Sequence, residues 1–325
     1  MRRTIWIAFL IMIGVQPVFA EQTSQSTLKI IQARGVLKCG VSQGLPGFSN
    51  PDDKGHWQGL DVDFCKAIAA AIFGDAKKVQ FIPLSAKERF TALQSGEIDV
   101  LARNTTWTYA RDTSLGINFI GVNYYDGQGF MVRKKLNLKS VGDLNGATIC
   151  TNTGTTTELN IADYFQSHGL KYQVLAFEKT DETLSAYEAG RCDAYSTDAS
   201  GLAAQRLKLA KQDDHVILPE IISKEPLSPA VRQGDDQFAD IARWTLNALI
   251  NAEELGVSSV NIKTMQKSTS PNIQRLLGIQ GELGEKLGLN KHCWVHVIAQ
   301  VGHYGESFER NLGTKTPLNI ERGQN

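Results

Sequence analysis

The chain has 325 residues and no formal net charge, with 34 Lys and Arg against 34 Asp and Glu. That length fits about two domains, each long enough to bury a core. The charge balance argues against a nucleic-acid partner, which needs a basic excess, and against a polybasic membrane anchor.

Residues 1–20 read as a secretory signal peptide: Arg2-Arg3, an apolar run over 5–15, and the exit Val18-Phe19-Ala20. Cleavage is expected after Ala20. A retained signal anchor is the alternative, although the run is short for a spanning helix. No later run is long and apolar enough to cross a bilayer, so an exported, soluble mature protein is expected. A polar leader over 21–27 precedes a helix over 28–34 stopped by Gly35, then a strand over 36–41. A Gly- and Pro-containing loop over 43–50 follows. The spacing then predicts an amphipathic helix over 60–73, with Phe64, Ile68, Ala71 and Ile72 on one face. A strand over 79–83 leads to Ser85 and Glu88, which have the form of a capping box. The helix they open ends at Ser95-Gly96, and a strand runs over 98–102.

Residues 124–129 are the first candidate hinge. The same order then repeats. A strand over 147–151 turns at Gly154 into a helix opened by Thr155 and Glu158, a second capping box. A strand over 172–177, a helix over 181–189 and a strand over 192–196 follow. Residues 226–229 are the second candidate hinge. A strong amphipathic helix over 238–255 precedes glycine-interrupted helical runs. The expected organisation is lobe one from 28–125 and 231–270, lobe two inserted over 126–230, and a C-terminal helical extension over 271–325.

The duplication is visible in the residues. Positions 90–99 (Phe-Thr-Ala-Leu-Gln-Ser-Gly-Glu-Ile-Asp) match 184–193 (Leu-Ser-Ala-Tyr-Glu-Ala-Gly-Arg-Cys-Asp) in the Ala, the Gly, the Asp and the apolar pattern. The same offset pairs Asn104 with Asp198 and Thr106 with Ser200. The fold class is therefore α/β, two α/β lobes joined by two hinge crossings. Each places polar groups at the carboxyl ends of its strands, where ligands of open α/β sheets bind. A cleft between the lobes is the expected small-molecule site.

Export permits disulfides. Of the five cysteines, Cys39 and Cys150 fall in the first strand of each lobe. Cys65 lies on the helix expected to pack over the Cys39 strand. Cys192 lies on the strand expected beside the Cys150 strand in a sheet ordered 2-1-3. The favoured pairs are Cys39–Cys65 and Cys150–Cys192, with Cys293 free; five buried thiols remain the alternative. No metal site is expected. His292 and His296 share a helical spacing with His303 beyond, but Gly302 interrupts the stripe and no carboxylate joins it closely. No phosphate-binding glycine loop or nucleophile elbow is present.

The densest polar run is Arg103-Asn104-Thr105-Thr106-Trp107-Thr108-Tyr109-Ala110-Arg111, directly after a strand. The hydroxyls of Thr106 and Thr108 can donate to a carboxylate, and Arg111 can grip it through its planar fork. A hydrated loop with Arg111 paired to Asp112 is the alternative. Gly154-Thr155-Thr156-Thr157 is the counterpart on lobe two, a helix start with free N–H groups. Asp198 ends the matching strand and adds a negative charge, either for a ligand ammonium or as an N-cap. Together these suit a zwitterion.

These runs in this order resemble the polar amino-acid-binding proteins of ABC importers, solute-binding protein family 3, and within it the general L-amino-acid-binding branch. The resemblance covers most of the mature chain, and its tail is expected to run on past Asn325. It implies the type II periplasmic-binding-protein fold, no cofactor, and capture of L-amino acids for an ABC permease by a periplasmic monomer. It also implies the site residues: Arg111 for the ligand carboxylate, Asn104 and Thr106 on lobe one, Thr156 on lobe two, and Asp198 for the ammonium. Leu45 stands where many relatives carry an aromatic lid, which favours broad specificity. Phe48 and Trp107 are candidates for the side-chain pocket or for the core. The rival readings are a lyase or dehydratase acting on amino-acid-like substrates, and the sensor domain of a receptor.

Overall fold

The computed structural model describes residues 26–325, so the signal-peptide reading of 1–20 lies outside the described residues. Two five-stranded sheets organise the chain. The first runs Val79–Pro83, Leu37–Val41, Val100–Leu101, Ala230–Arg232, Ile117–Phe119; its first three strands are parallel and the others pair antiparallel. The second runs Tyr172–Phe177, Ala147–Asn152, Ala194–Asp198, Gln128–Arg133, His215–Ile217 with the same division. Both sheets start in the order 2-1-3. Each then takes as its fourth strand the segment arriving from the other lobe. The crossings themselves, Tyr124–Asp126 and Glu225–Leu227, pair antiparallel as a two-stranded ribbon. Ala230 already pairs with Leu101 in the first sheet, so the chain re-enters that sheet at 230 rather than 231.

The sequence explains the local elements. Ser85 N donates to Glu88 Oε2 (3.1 Å) and Glu88 N donates to Ser85 Oγ (3.2 Å), the reciprocal pattern that satisfies helix-start N–H groups. These residues form a capping turn, and the regular helix is Arg89–Ser95 rather than beginning at Ser85. On lobe two, Glu158 N donates to Thr155 Oγ1 (3.3 Å) at the start of helix Thr156–Ser167.

Helix Leu60–Phe73 carries Asp61 and Asp63 in its first turn, where negative charge suits the helix dipole. Gly74 ends it in the left-handed region at φ 70°, with its N–H donating to Ala70 O. The amphipathic expectation needs correction here, because this helix is buried nearly all round. Its second face packs under helix Cys293–Val301, and helix Tyr304–Asn311 lies against it and against Asp236–Glu254. Val297, Val301, Phe308 and Leu312 thereby join the lobe-one core. Alanines at 67, 69, 70 and 71, all essentially unexposed, let these backbones approach closely. The C-terminal segment is thus an integral layer of lobe one. Ser307 Oγ (2.7 Å), Arg310 Nη2 (2.5 Å) and Asn311 Nδ2 (2.7 Å) all donate to Asp63 Oδ2.

Disulfides join Cys39 to Cys65 (Cα–Cα 6.3 Å) and Cys150 to Cys192 (5.6 Å), while Cys293 is a buried thiol. Burial pushes the Cys293 thiol up to about 12. Among the described residues no helix is long and apolar enough to cross a membrane.

Candidate functional site

The carboxyl ends of both sheets face one another across a cavity of about 50 Å³. Lobe one lines it with Ser42, Leu45, Arg89, Arg103, Asn104 and Thr106, and lobe two with Asn152, Thr156, Thr157, Asp198 and Gln205. The lobes touch around its rim. Lys208 Nζ donates to Gly44 O across the gap (2.7 Å), and Lys87 Nζ lies 3.8 Å from Glu178 Oε2. Gly154 adopts φ 74° so close to lobe one that a Cβ there would sit 3.3 Å from Lys87 Cα.

The polar run after strand Val100–Leu101 is held by partners distant in sequence. Asn104 N donates to Asp61 Oδ2 (2.9 Å), which fixes Asn104 at the left-handed φ of 34°. Burial is the main cause that raises the Asp61 carboxyl to about 6. The Asn104 Oδ1 atom is buried, without a protein partner, on the cavity wall. Trp107 N donates to Pro226 O (2.8 Å) and Ser228 N to Thr105 O (2.9 Å), so the run is sewn to the second crossing strand.

Of the residues read from sequence, Leu45, Asn104, Thr106, Thr156 and Asp198 line the cavity. Arg111 stands one step behind. Its Nη1 donates to Thr106 O (2.9 Å), and its guanidinium lies 5.3 Å from the Phe90 ring centre. Thr108 does not offer its hydroxyl to the cavity; it accepts from Arg111 N (3.2 Å) and caps helix Tyr109–Ser114. Phe48 and Trp107 are outside the lining. Phe48 is buried edge-on against Tyr124 (5.2 Å), and Trp107 stacks on Phe119 (5.7 Å). Asp198 occupies the N-cap position of helix Ala199–Arg206 but makes no side-chain capping bond. That duty falls to Asp126, whose Oδ1 accepts from Ser200 N (3.4 Å) in the helix's first turn, and which also accepts from the Ser200 hydroxyl and from Gly127 N (2.9 Å).

Several buried groups in or behind the wall escaped the sequence reading. Arg89, 3% exposed, points into the cavity region with its Nε unpartnered; only Nη1 bonds protein, to Thr105 Oγ1 (3.3 Å). Both amide atoms of buried Gln205 are also unpartnered. Gln205 sits seven residues after Asp198, two helical turns along one face, a spacing that could have flagged it. Glu225, 2% exposed, directly precedes the hinge proline. Its Oε2 accepts from Thr106 Oγ1 (2.6 Å) and Thr156 Oγ1 (2.9 Å), and its Oε1 from Asn160 Nδ2 (2.7 Å) and Ser223 Oγ (2.5 Å).

The electrostatics divide by lobe. Arg89, Arg103 and Arg111 stand on lobe one, where buried Asp61 supports the charge of Arg103; Asp198, Asp126 and Glu225 stand on lobe two and the crossings. Burial holds Arg89 well below the usual guanidinium range, helped by repulsion from Arg111 and Arg103. Burial also brings Arg103 down to about 10 and lowers Arg111, whose charge Glu225 and Asp198 support. Burial pushes Asp198 well above the carboxylate range, reinforced by Asp126 and Glu225 and opposed by Arg89 and Arg111. Asp126 rises to about 6, chiefly through burial. A cation against Asp198 and an anion against the arginines would each relieve a standing electrostatic cost.

A larger cavity, about 550 Å³, opens between helix Asp236–Glu254 and the C-terminal helices, walled by Trp244, Leu276, Leu283 and Trp294. Asn251, Glu254, Asn272, Arg275 and Lys286 also line it, and it lies among helices, away from the strand ends where the two sheets meet.

The sequence profile of the bacterial extracellular solute-binding proteins, family 3, matches residues 37–258. The chain belongs to that family. It is 58% identical over 314 residues to the general L-amino acid-binding periplasmic protein AapJ of Rhizobium johnstonii, covering 96% of this chain and 92% of that protein. It is 50% identical over 319 residues to the glutamate/glutamine/aspartate/asparagine-binding protein BztA of Rhodobacter capsulatus, covering 98% and 94%. Among solved structures, an ABC transporter periplasmic binding protein from Brucella ovis with glutathione bound is 58% identical. It superposes with a TM-score of 0.90 over 92% of this chain and 94% of that one. The fold is thereby the type II periplasmic-binding-protein fold.

Proposed function

We propose that this protein captures L-amino acids of several kinds in the periplasm and delivers them, as a monomer, to the permease of an ABC importer. One observation carries the reading: a buried Asp198 that its own helix leaves uncapped, facing a wall of arginines across a two-lobe cavity. Asp198 takes the α-ammonium. The α-carboxylate goes to the guanidinium side, with Arg111 behind Thr106 and the N–H groups at the start of helix Thr156–Ser167 as donors. Leu45, Arg89 and Gln205 remain to meet side chains of different character, which fits broad specificity. Ligand entry requires the lobes to part about the crossing ribbon and close again. A micromolar dissociation constant needs about 8 kcal/mol, within reach of charge-assisted hydrogen bonds in a desolvated cleft. Export through a cleaved signal peptide completes the proposal.

The test is calorimetric titration with the common L-amino acids and their D-enantiomers. Several L-forms should bind near micromolar while D-forms bind far more weakly; no binding by any L-amino acid would end the proposal. The lyase reading has one favouring observation, the raised carboxyl of Asp198, a group with the character of a general acid. Incubating the protein with the ligands it binds and assaying for products separates the two. Unchanged amino acid is the outcome expected of a carrier.

A further inference from the structure

Glu225 is buried in the crossing ribbon, and it makes the only hydrogen bonds that tie one hydroxyl of each lobe to a common atom among the described residues. Thr106 Oγ1 and Thr156 Oγ1 lie 3.4 Å apart across the lobe boundary, and both reach Glu225 Oε2. A carboxylate accepts hydrogen bonds and donates none, so each hydroxyl must give it its single proton. What remains on each oxygen is lone pairs. Both threonines line the cavity, as do Asp198 and Asn104, whose Oδ1 is buried without a partner.

We propose that Glu225 is a positioning residue that commits the protons of Thr106 and Thr156, turns their oxygens into acceptors toward the cleft, and draws the two lobes together through them. This revises the sequence expectation that the Thr106 hydroxyl donates to a ligand carboxylate; its proton goes to Glu225 instead. Glu225 makes these two hydroxyl oxygens read a cation, in concert with Asp198, and leaves the anionic end of the ligand to the arginines and to the backbone N–H groups at the start of helix Thr156–Ser167. The remaining donors on Glu225, Asn160 and Ser223, fix the carboxylate so that it cannot turn away. Because one partner hydroxyl lies on each lobe, this arrangement exists only when the lobes are together, so polarity of the site and closure are one event. The ligand part of the inference rests on the amino-acid reading above; the lobe-bridging part does not.

The experiment has two arms. In the first, L-glutamate and glutarate, which lacks the ammonium, are titrated against wild type and Glu225→Gln. The glutamine side chain supplies an amide that can donate, freeing hydroxyl protons to turn into the cleft. The preference for glutamate over glutarate should fall about 10-fold or more, and it should not fall when Glu225→Gln is added to a Thr106→Val, Thr156→Val background. Equal weakening of both ligands, leaving the preference unchanged, would mean that Glu225 is only structural. In the second arm, small-angle X-ray scattering compares ligand-free wild type, Glu225→Ala and the double valine variant. The radius of gyration should rise in both variants, since the bridge between lobes is gone. Unchanged scattering would overturn the bridging role. A wild type that binds neither probe would count against the transport reading and the ligand part together, while the scattering arm would still decide the bridge.

Discussion

Replacing Asp198 by Asn tests whether the fold tolerates a buried charge for the sake of a ligand. Asp198 is 6% exposed, receives no capping bond, and faces Asp126 and Glu225. Its carboxyl is therefore raised, with burial the first cause. A carboxyl whose folded pKa lies above its unfolded one destabilises the fold when ionised. Stability from this group is present at low pH and is lost as pH rises from the unfolded value through the raised one. At pH 7 each unit of elevation costs about 1.4 kcal/mol. Asp198→Asn should thus raise the ligand-free melting temperature, by about 2 °C per kcal/mol for a chain of this size. Binding should move the other way. Loss of a charge-assisted hydrogen bond to an ammonium, worth about 1.5–3 kcal/mol, weakens amino-acid affinity about 10- to 150-fold. Deaminated acids should be unaffected or bind better. Scanning calorimetry and isothermal titration on the same preparations supply both readings. A variant that is less stable without ligand, or that loses amino acids and deaminated acids by the same factor, would show Asp198 to be a structural residue.

The wild-type affinity for amino acids should fall as pH drops through the raised Asp198 value, at a pH above the ordinary carboxylate range; flat affinity down to pH 4, measured by titration, would contradict this. Arg111→Ala should abolish binding in a folded protein, and Arg111→Lys should fail to restore it because an ammonium lacks the planar fork; a binding-competent lysine variant would leave only the charge as relevant. Gly154→Ala should lower stability by about 1 kcal/mol through its left-handed backbone and also weaken binding, since the new methyl meets Lys87 where the lobes touch. Ellman titration of the denatured, unreduced protein should find one thiol. Removing the bridges, with sequence separations of 26 and 42, should cost about 3.5 and about 4 kcal/mol in chain-entropy terms.

Much of the scaffold was legible because it is local or periodic. The repeated helix–Gly–strand module gave two lobes, the Ser-x-x-Glu and Thr-x-x-Glu spacings gave helix starts, and the cysteines fell on strands and a helix whose neighbours follow from the 2-1-3 order. Helix Leu60–Phe73 was misjudged as half-exposed because its second cover, Cys293–Val301, comes from more than two hundred residues away. The site divided along the same line. Asn104, Thr106 and Asp198 follow or end strands and Thr156 opens the helix after one, where topology alone directs them to the cleft. Arg89 and Gln205 reach it from helices, and their importance shows only in unsatisfied atoms. Glu225 is invisible as a site residue until the two lobes bring Thr106 and Thr156 to it. Thr108 and Trp107, two and one residues from Thr106, were turned elsewhere by a helix cap and an aromatic stack.

The most direct measurement is a crystal structure of the protein grown with whichever L-amino acid binds best. The account predicts one molecule between the lobes, its ammonium about 3 Å from the Asp198 carboxylate and its carboxylate on the guanidinium side, with both lobes in contact. An amino acid held by one lobe alone, or seated in the cavity between Trp244 and Trp294 while the interlobe site stays without it, would contradict the account.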